Sequence, residues 1–348
     1  MVMEKKRVCV TGAGGFVASW IVKLLLSKGY IVHGTVRDPS DEKNAHLNKL
    51  ERARGNLKLF KANLLDYDSL LSAMVGCAGV VHVACPVPTT TPANPEARSR
   101  KNNEHAFVMF GLTCMSQVEM LEPAVRGTLN ILKACSEAKV KRLVYISSTA
   151  AVIFDPKWPE DRAKDETCWS DKEFCRATEN WYLLGKTEAE SIALEYGKQN
   201  GLDVVAINPG TVFGPVMQPI LNWSTLLLVN FVKGEYIQIE PGDVEIVPNK
   251  LWELVDARDV ADAVLLAYEK PEAKGRYICV GHNIMIKDLA EKLKILYPDF
   301  SYLENFGEDD HEYWVSSEKL QKELGWTYRP LEETLVDSIE SYKEAGLL

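Results

Sequence analysis

The sequence predicts an α/β protein built on a doubly wound parallel sheet, followed by a smaller C-terminal lobe. Short β-branched runs alternate with helical stretches through the first 210 residues, a glycine-rich turn joins the first strand to the first helix, and the alternation then breaks down. Continuous apolar strands separated by helices are typical of parallel sheets covered on both faces. We therefore expect a main domain at residues 1–210 and a substrate lobe at residues 211–348, with residues 256–280 as a candidate to return to the main sheet.

The strand and helix segments follow one another in the order that such a fold requires. Strands are expected at RVCVTG, YIVHGTV, LKLFKANL, GVVHVAC, KRLVYISST and LDVVAINPG, and GRYICV is a later strand candidate. Helices are expected at ASWIVKLLLSKG, DYDSLLSAMVGC, VEMLEPAVRGTLNILKACSEA and the stretch that contains NWYLLGK. The carboxyl ends of the strands would then form one edge, where ligands bind in such sheets.

Composition excludes several classes of protein. The chain of 348 residues is 46% hydrophobic and 26% charged with a net charge of -9, which argues against nucleic acid as a partner. No stretch approaches the roughly 20 apolar residues of a membrane span, and a strand begins too early to leave room for a signal peptide. The eight cysteines form no C-x-x-C pair. We expect a cytoplasmic protein without a metal site, as a monomer or weak dimer.

The turn TGAGGFVA has the pattern of a dinucleotide-binding loop. Gly12 and Gly15 permit a tight turn and a close approach of backbone N–H groups to a pyrophosphate at the helix N-terminus, and Ala18 permits close packing of helix on strand. A glycine-rich turn alone is weak evidence. Here the strand, loop, helix and second strand occur in the required order, so we expect a bound dinucleotide.

The second strand indicates which dinucleotide is bound. NAD-binding chains usually carry an acid about 20 residues after the loop, whereas NADP-binding chains place an arginine there for the 2′-phosphate. Here the strand ends in Arg37, with Lys43 shortly after, and both could bind a phosphate. The alternative is a solvated arginine paired with Asp38. We favour NADP(H).

Tyr182 and Lys186 are four residues apart in NWYLLGK and would lie on one face of a helix. Reduction of a carbonyl needs a proton donor, and a tyrosine can serve if its pKa of about 10 is brought towards neutrality by a nearby ammonium. Ser148 ends a buried strand and is expected to hold the carbonyl oxygen. Each feature alone is common by chance, but together after a dinucleotide loop they predict a reductase.

The chain resembles the extended short-chain dehydrogenase/reductases of plants, specifically the cinnamoyl-CoA reductase and dihydroflavonol 4-reductase group. The stretches that carry the resemblance include VCVTGAGGFVASWIVKLLLSKGY, GTVRDPSDEKNAHL, EPAVRGTLN, DETCWSDKEFC, NPGTVFGP and GRYICV. It implies a Rossmann fold and the catalytic residues Ser148, Tyr182 and Lys186. It also implies cofactor contacts from Gly12, Gly15, Phe16, Val17, Arg37, Lys43, Asn63, Leu64, Ala84, Cys85–Pro86, Tyr182, Lys186 and Asn208–Pro209.

Several positions depart from that group. Leu183 and Leu184 replace the central pair of the NWYCYGK signature, and Asn63 stands where an acid is usual near the adenine. The CoA-thioester reductases carry a histidine, a lysine and an arginine at three positions that are occupied here by Leu227, Asn230 and Ile286. Because coenzyme A carries phosphates that bind such cations, we expect cinnamoyl-CoA not to be the best substrate.

Residues 97–117 look like an insertion between the fourth strand and the following helix. Removing Ala97–Gln117 would join the flanks into the ordinary family sequence NPEVEMLEP. Long loops without secondary structure are often functional, so an active-site lid is one interpretation. An error in the gene model is the other, and we favour it because the flanks join so cleanly.

The expected substrate wall is apolar and aromatic, with Phe154, Trp223 and Leu227 as candidate substrate contacts. It favours a flat aromatic or terpenoid aldehyde or ketone, in line with a role in phenylpropanoid metabolism. A true cinnamoyl-CoA reductase, an epimerase or dehydratase of nucleotide sugars, and a non-catalytic NADP-binding protein are the alternatives.

Overall fold

Strands and helices alternate along the first part of the chain in the computed structural model, which describes residues 6–85, 117–234, 246–310 and 313–348. The strands are β1 (Arg7–Thr11), β2 (Ile31–Val36), β3 (Leu57–Lys61), β4 (Gly79–His82), β5 (Arg142–Ile146), β6 (Asp203–Pro209), β7 (Thr211–Phe213), β8 (Val247–Asp256), β9 (Gly275–Cys279), β10 (His282–Met285) and β11 (Phe306–Asp310). The helices are α1 (Phe16–Ser27), α2 (Ala45–Asn48), α3 (Tyr67–Met74), α4 (Gln117–Glu137), α5 (Lys172–Ala177), α6 (Trp181–Asn200), α7 (Trp223–Val232), α8 (Ala257–Glu269), α9 (Ile286–Leu296), α10 (Glu318–Leu324) and α11 (Leu331–Glu344).

Seven parallel strands form the main sheet in the order β3-β2-β1-β4-β5-β6-β9. The chain runs outward in one direction from β1 to β3 and in the other from β4, so the strand order reverses between β1 and β4. A crevice at such a reversal is where α/β sheets bind their ligands. The predicted fold class, a doubly wound parallel sheet with the Rossmann topology, is confirmed.

The main sheet is covered on both faces, as its apolar strands require. One face packs against α1, α8 and α10, and the other packs against α3, α4 and α6. Every residue of β5 is buried. The fit is close enough to demand glycine at position 79, because a Cβ there would lie 2.2 Å from the ring of Tyr268 on α8. Close packing of this kind fixes the strand ends that carry the site.

The smaller lobe is built on β8. This strand pairs in parallel with β7 and β11 and antiparallel with β10, and α7, α9 and α11 contribute to its apolar core. After β8 the chain returns to the main sheet, where α8 packs on α1 and β9 forms the outermost strand beside β6. None of the helices in the described ranges is long and apolar enough to cross a membrane.

Residues 97–116 of the predicted insertion, and Pro86, lie outside the described residues. The last residue of that predicted insertion, Gln117, is the first residue of α4.

Candidate active site

Three neighbouring strands end at one edge of the sheet and bring the predicted site residues together. Gly12 follows β1, Ala84 and Cys85 follow β4, and Ser148 follows β5. Beside these ends lies a pocket that encloses about 410 Å³, including its open mouth. Its walls are Leu64, His82, Ala84, Cys85, Ala124, Thr128, Tyr145, Ile146, Trp181, Tyr182, Gly185, Lys186 and Ala189.

The glycine loop has the shape of a phosphate cradle. Gly12 has a φ of +66°, and a Cβ on it would lie 3.1 Å from Ala84, so only glycine fits here without strain. Gly12 N–H donates to the Thr35 hydroxyl at 3.1 Å, and Gly15 N–H donates to the Gly12 carbonyl at 2.9 Å. Gly15 is the N-cap of α1 and offers no side-chain cap. The open helix N-terminus with its positive dipole therefore fits a pyrophosphate.

The first residues of α1 complete this cradle. Phe16 is buried and Val17 is half-buried, and both belong to the first turn of the helix whose N-terminus faces the cradle. Gly14 lies against the loop after β2, since a Cβ there would come within 2.2 Å of Asn44 Oδ1. The side-chain amide of Asn44 in turn donates to the Asp38 carbonyl at 2.8 Å. Asn44 therefore packs against Gly14 and also joins two parts of the loop after β2.

Arg37 is exposed at the end of β2 and is not paired with Asp38. The Asp38 carboxylate instead accepts from the Ser40 hydroxyl and backbone N–H, at 2.7 and 2.9 Å. These two bonds hold the pKa of Asp38 below its usual value. Lys43 forms an ion pair with Asp41 at 2.5 Å. Of the two predicted phosphate-binding cations, Arg37 is thus the more available, and Lys43 would have to share its ammonium with Asp41.

Asn63 and Leu64, which the sequence predicts to contact the cofactor, lie after β3. Asn63 is exposed, and its Oδ1 accepts the Leu65 backbone N–H at 2.9 Å. Leu64 lines the pocket, and its carbonyl accepts the Asn130 side-chain amide of α4 at 2.9 Å. In this structure the side-chain oxygen of Asn63 is therefore engaged in a hydrogen bond within its own turn.

Ser148, Tyr182 and Lys186 meet beside the pocket. Asn180 caps the N-terminus of α6, which places Tyr182 in the first turn and Lys186 one turn later. The Ser148 hydroxyl is hydrogen-bonded to the Tyr182 side chain. The Lys186 ammonium lies 5.9 Å from the centre of the Tyr182 ring. Lys186 is only 8% exposed, so its charge acts on its neighbours with little solvent screening.

Burial changes the electrostatics that the sequence leads one to expect for Tyr182. Burial raises the pKa of Tyr182, while the Lys186 ammonium and the Ser148 hydrogen bond oppose that rise without cancelling it. Burial lowers the pKa of Lys186, but Cys85, Tyr182 and Tyr145 outweigh it, so this pKa is raised. Lys186 is therefore charged and Tyr182 is a protonated phenol, the state that a proton donor needs.

Several residues of the pocket were not predicted from the sequence. His82 Nδ1 lies 2.8 Å from the Thr11 hydroxyl, and burial with the nearby Lys186 charge lowers the pKa of His82 to about 3. Tyr145 lies behind it, and burial raises the pKa of Tyr145 to about 12. The Thr11 hydroxyl also accepts the Ala84 backbone N–H at 3.1 Å. The continuous apolar runs of β1, β4 and β5 could have shown that these side chains are buried, but not that they meet.

The remaining predicted residues lie around this centre. Pro209 ends β6 and is buried, and Asn208 before it is fully buried. Phe154 is half-buried between two small apolar clusters, one of which includes Tyr182. Trp223 is half-buried at the start of α7, whereas Leu227 on the same helix is only 2% exposed. In the described part of the chain, no group of three or more His, Cys, Asp and Glu side chains could hold a metal ion.

The sheet, the phosphate cradle and the serine, tyrosine and lysine define a class of protein, the nicotinamide-dependent oxidoreductases with a Rossmann fold. Comparison with known proteins agrees with this class. Residues 105–281 match the NAD dependent epimerase/dehydratase family, and residues 9–97 match the family described as GDP-mannose 4,6 dehydratase. Cinnamoyl-CoA reductase 1 of Petunia hybrida is 41% identical over 98% of this chain and 93% of its own length.

Solved structures give the same result. Vestitone reductase from alfalfa has a TM-score of 0.78 and 31% identity, with 99% of this chain and 100% of that chain covered. The yeast methylglyoxal/isovaleraldehyde reductase Gre2, solved with NADPH, has a TM-score of 0.76 and 26% identity, with 98% and 100% covered. The chain belongs to the extended short-chain dehydrogenase/reductases of the cinnamoyl-CoA reductase-like group, within the NAD dependent epimerase/dehydratase family. It is an NAD(P)-dependent oxidoreductase.

Proposed function

We propose that this protein is an NADPH-dependent reductase of an aromatic or related aldehyde or ketone, and that it does not use a CoA thioester as its best substrate. The observation that carries the proposal is the contact of Ser148 and Tyr182 beside a buried Lys186, next to a phosphate cradle. The yeast neighbour was solved with NADPH, and its name refers to reduction of small carbonyl compounds.

NADPH is favoured by the loop after β2. The exposed Arg37 is the residue that would hold the 2′-phosphate, since its guanidinium offers paired donors to phosphate oxygens. The backbone at Gly12 and Gly15 would hold the pyrophosphate. Asp38, the acid next to Arg37, is held by Ser40, so Arg37 remains available. When bound, the cofactor supplies a hydride to the carbonyl carbon.

The side chains of this chain supply the proton and the orientation. The Tyr182 hydroxyl would donate its proton to the carbonyl oxygen, and the Ser148 hydroxyl would hold that oxygen by a second hydrogen bond. The buried Lys186 ammonium would stabilise the tyrosinate that remains, because opposite charges attract more strongly where water is excluded. The apolar pocket walls around them would keep water away from the transfer.

The three positions that mark CoA-thioester reductases carry no cation here. Leu227 is 2% exposed and Ile286 is fully buried in the core of the smaller lobe, while Asn230 is half-buried. An apolar pair in the interior gives a CoA phosphate nothing to bind. We therefore infer a substrate without the CoA group, although the 41% identity to a cinnamoyl-CoA reductase keeps the thioester as the second candidate.

Other reaction classes are less well supported. Dehydration of a nucleotide sugar needs an acid beside the catalytic serine, and the turn after Ser148 consists of Thr149, Ala150 and Ala151. An epimerase that retains NAD needs an acid for the ribose at the place where Arg37 stands. The presence of Ser148, Tyr182 and Lys186 together argues against a non-catalytic NADP-binding protein.

The test is a substrate panel with the purified full chain. NADPH oxidation is measured as the loss of nicotinamide absorbance. We expect it to be faster with hydroxycinnamaldehydes or dihydroflavonols than with cinnamoyl-CoAs. Higher kcat/KM for a cinnamoyl-CoA than for every aldehyde and ketone would contradict the proposed substrate class. Binding of NADPH without turnover of any compound would favour the non-catalytic alternative.

A further inference from the structure

A buried ion pair lies directly behind the catalytic residues. Glu190 on α6 is fully buried and Arg276 on β9 is 6% exposed, and Arg276 Nε lies 2.5 Å from Glu190 Oε1. Taking both charges out of water is costly, and a buried pair is weak evidence for stability by itself. The role of this pair must therefore be inferred from the other groups that Glu190 and Arg276 bond.

The second carboxylate oxygen of Glu190 joins two strand ends. Ser147 Oγ donates to Glu190 Oε2 at 2.5 Å, and Asn208 Nδ2 donates to the same oxygen at 2.6 Å. The Asn208 amide also donates to the Ser148 carbonyl at 3.1 Å. Glu190 thus accepts hydrogen bonds from the ends of β5 and β6 as well as from β9.

Arg276 uses its remaining donors on the backbone that follows Ser148. It donates to the carbonyls of Ala151 at 3.0 Å, Cys168 at 2.7 Å and Glu166 at 3.1 Å. Its guanidinium carbon lies 3.5 Å from the centre of the Trp169 ring. The arginine therefore holds the turn after Ser148 and the segment before α5 in one arrangement.

We propose that Glu190 and Arg276 are positioning residues that fix Ser148 on β5 relative to Tyr182 and Lys186 on α6. Glu190 lies one helical turn beyond Lys186, so the helix that carries the proton donor is bonded directly to the strand end that carries the carbonyl-binding serine. Ser147 is held towards Glu190 while its neighbour Ser148 bonds Tyr182. A displacement of about 1 Å in such a site can cost about 100-fold in rate. This inference rests on the proposed reductase function.

Glu190→Gln tests the proposal, with Glu188→Gln as its matched control. An amide has one acceptor oxygen and cannot accept from Ser147, Asn208 and Arg276 as the carboxylate does. Glu188 is on the same helix, but it pairs with Lys172 and Arg176 near the surface. The variants are compared by NADPH affinity, by KM and by kcat per NADPH-binding site, with the best carbonyl substrate of the wild type.

We expect Glu190→Gln to lower kcat about 10- to 100-fold with KM and NADPH affinity within about threefold of the wild type, and Glu188→Gln to match the wild type. A role in stability alone would lower the melting temperature and leave kcat per site unchanged, which would overturn the proposal. If Glu190→Gln does not bind NADPH, Ser147→Ala takes its place, because it keeps the ion pair and removes one donor.

For Ser147→Ala we expect kcat to fall about 3- to 10-fold at unchanged KM, and a wild-type kcat would overturn the proposal. Failure of the underlying function gives a different result. In that case the wild type and Glu188→Gln would also turn over no carbonyl compound, which would contradict the reductase and the positioning role together.

Discussion

Ser147 and Ser148 are consecutive residues whose hydroxyl groups bond different side chains of the same helix. Ser147 Oγ donates to Glu190 Oε2 at 2.5 Å, whereas the Ser148 hydroxyl is bonded to Tyr182. Of these two serines, only Ser148 therefore bonds Tyr182. This difference in partners agrees with the expectation from the sequence that Ser148 holds the carbonyl oxygen.

Ser148→Ala removes the hydroxyl that would hold the carbonyl oxygen. We expect kcat with the best carbonyl substrate to fall about 100-fold, the usual cost of one lost donor to a developing oxyanion. NADPH affinity, measured by quenching of protein fluorescence, should stay within about twofold. A kcat close to the wild-type value would show that Ser148 does not contact the reacting oxygen.

Lys186→Met removes the charge that draws the pKa of Tyr182 down. Reduction needs the protonated phenol, so its rate falls as pH rises through the pKa of Tyr182. Because the ammonium lowers that pKa, its loss should move the alkaline limb of the kcat profile to higher pH and also lower kcat. Lys198→Met, at an exposed position on the same helix, should leave the limb in place. If the alkaline limb of Lys186→Met lay at the same pH as in the wild type or at a lower pH, the result would count against the electrostatic role of Lys186.

Arg37→Glu should reverse the cofactor preference. The exposed guanidinium would be replaced by a carboxylate that repels the 2′-phosphate of NADPH and accepts from the ribose hydroxyls of NADH. We expect the ratio of kcat/KM for NADPH over NADH to fall at least tenfold. Arg54→Glu makes the same change at another exposed arginine, before β3, and should leave the ratio alone. An unaltered preference in Arg37→Glu would exclude Arg37 from the phosphate site.

His82 should make stability fall on the acid side of neutrality. Burial and the Lys186 charge lower the pKa of His82 from 6.5 to about 3. A histidine with a lowered folded-state pKa stabilises the fold above pH 6.5, and that contribution is lost as pH falls from 6.5 towards 3. The loss from pH 6.5 to 5 is about 2 kcal/mol at about 1.4 kcal/mol per unit.

The measurement for His82 is the free energy of unfolding in urea at pH 6.5 and at pH 5. His82→Gln should show a drop between these two pH values that is smaller than the wild-type drop by about 2 kcal/mol. Equal drops in the two proteins would mean that His82 titrates normally in the folded state.

The features that could be predicted from the sequence are those written in short local patterns. The turn at Gly12 needs a positive φ, and the glycine-rich pattern predicts it. Tyr182 and Lys186 are four residues apart, and this spacing predicts that they lie on one face of a helix. Arg37 followed from its position at the end of the second strand. The fold class followed from the alternation of apolar strands and helices.

The features that could not be predicted join residues far apart in the chain. Glu190 and Arg276 are 86 positions apart, and Thr11 and His82 are 71 apart, so neither pair has a local signal. The effect of Lys186 on the pKa of Tyr182 could be expected from spacing, whereas the opposing effect of burial could not, because spacing does not show how deeply a side chain is buried. The ion pair of Lys43 with Asp41 is local, and it could have been weighed against the phosphate role.

The most direct test of the central claim is the rate of hydride transfer in Tyr182→Phe. The variant keeps the ring and removes only the hydroxyl, and single turnover of pre-bound NADPH with the best carbonyl substrate isolates the chemical step. We expect transfer to be about 100- to 10,000-fold slower than in the wild type, with NADPH affinity within about twofold. A transfer rate within threefold of the wild type would show that Tyr182 is not the proton donor.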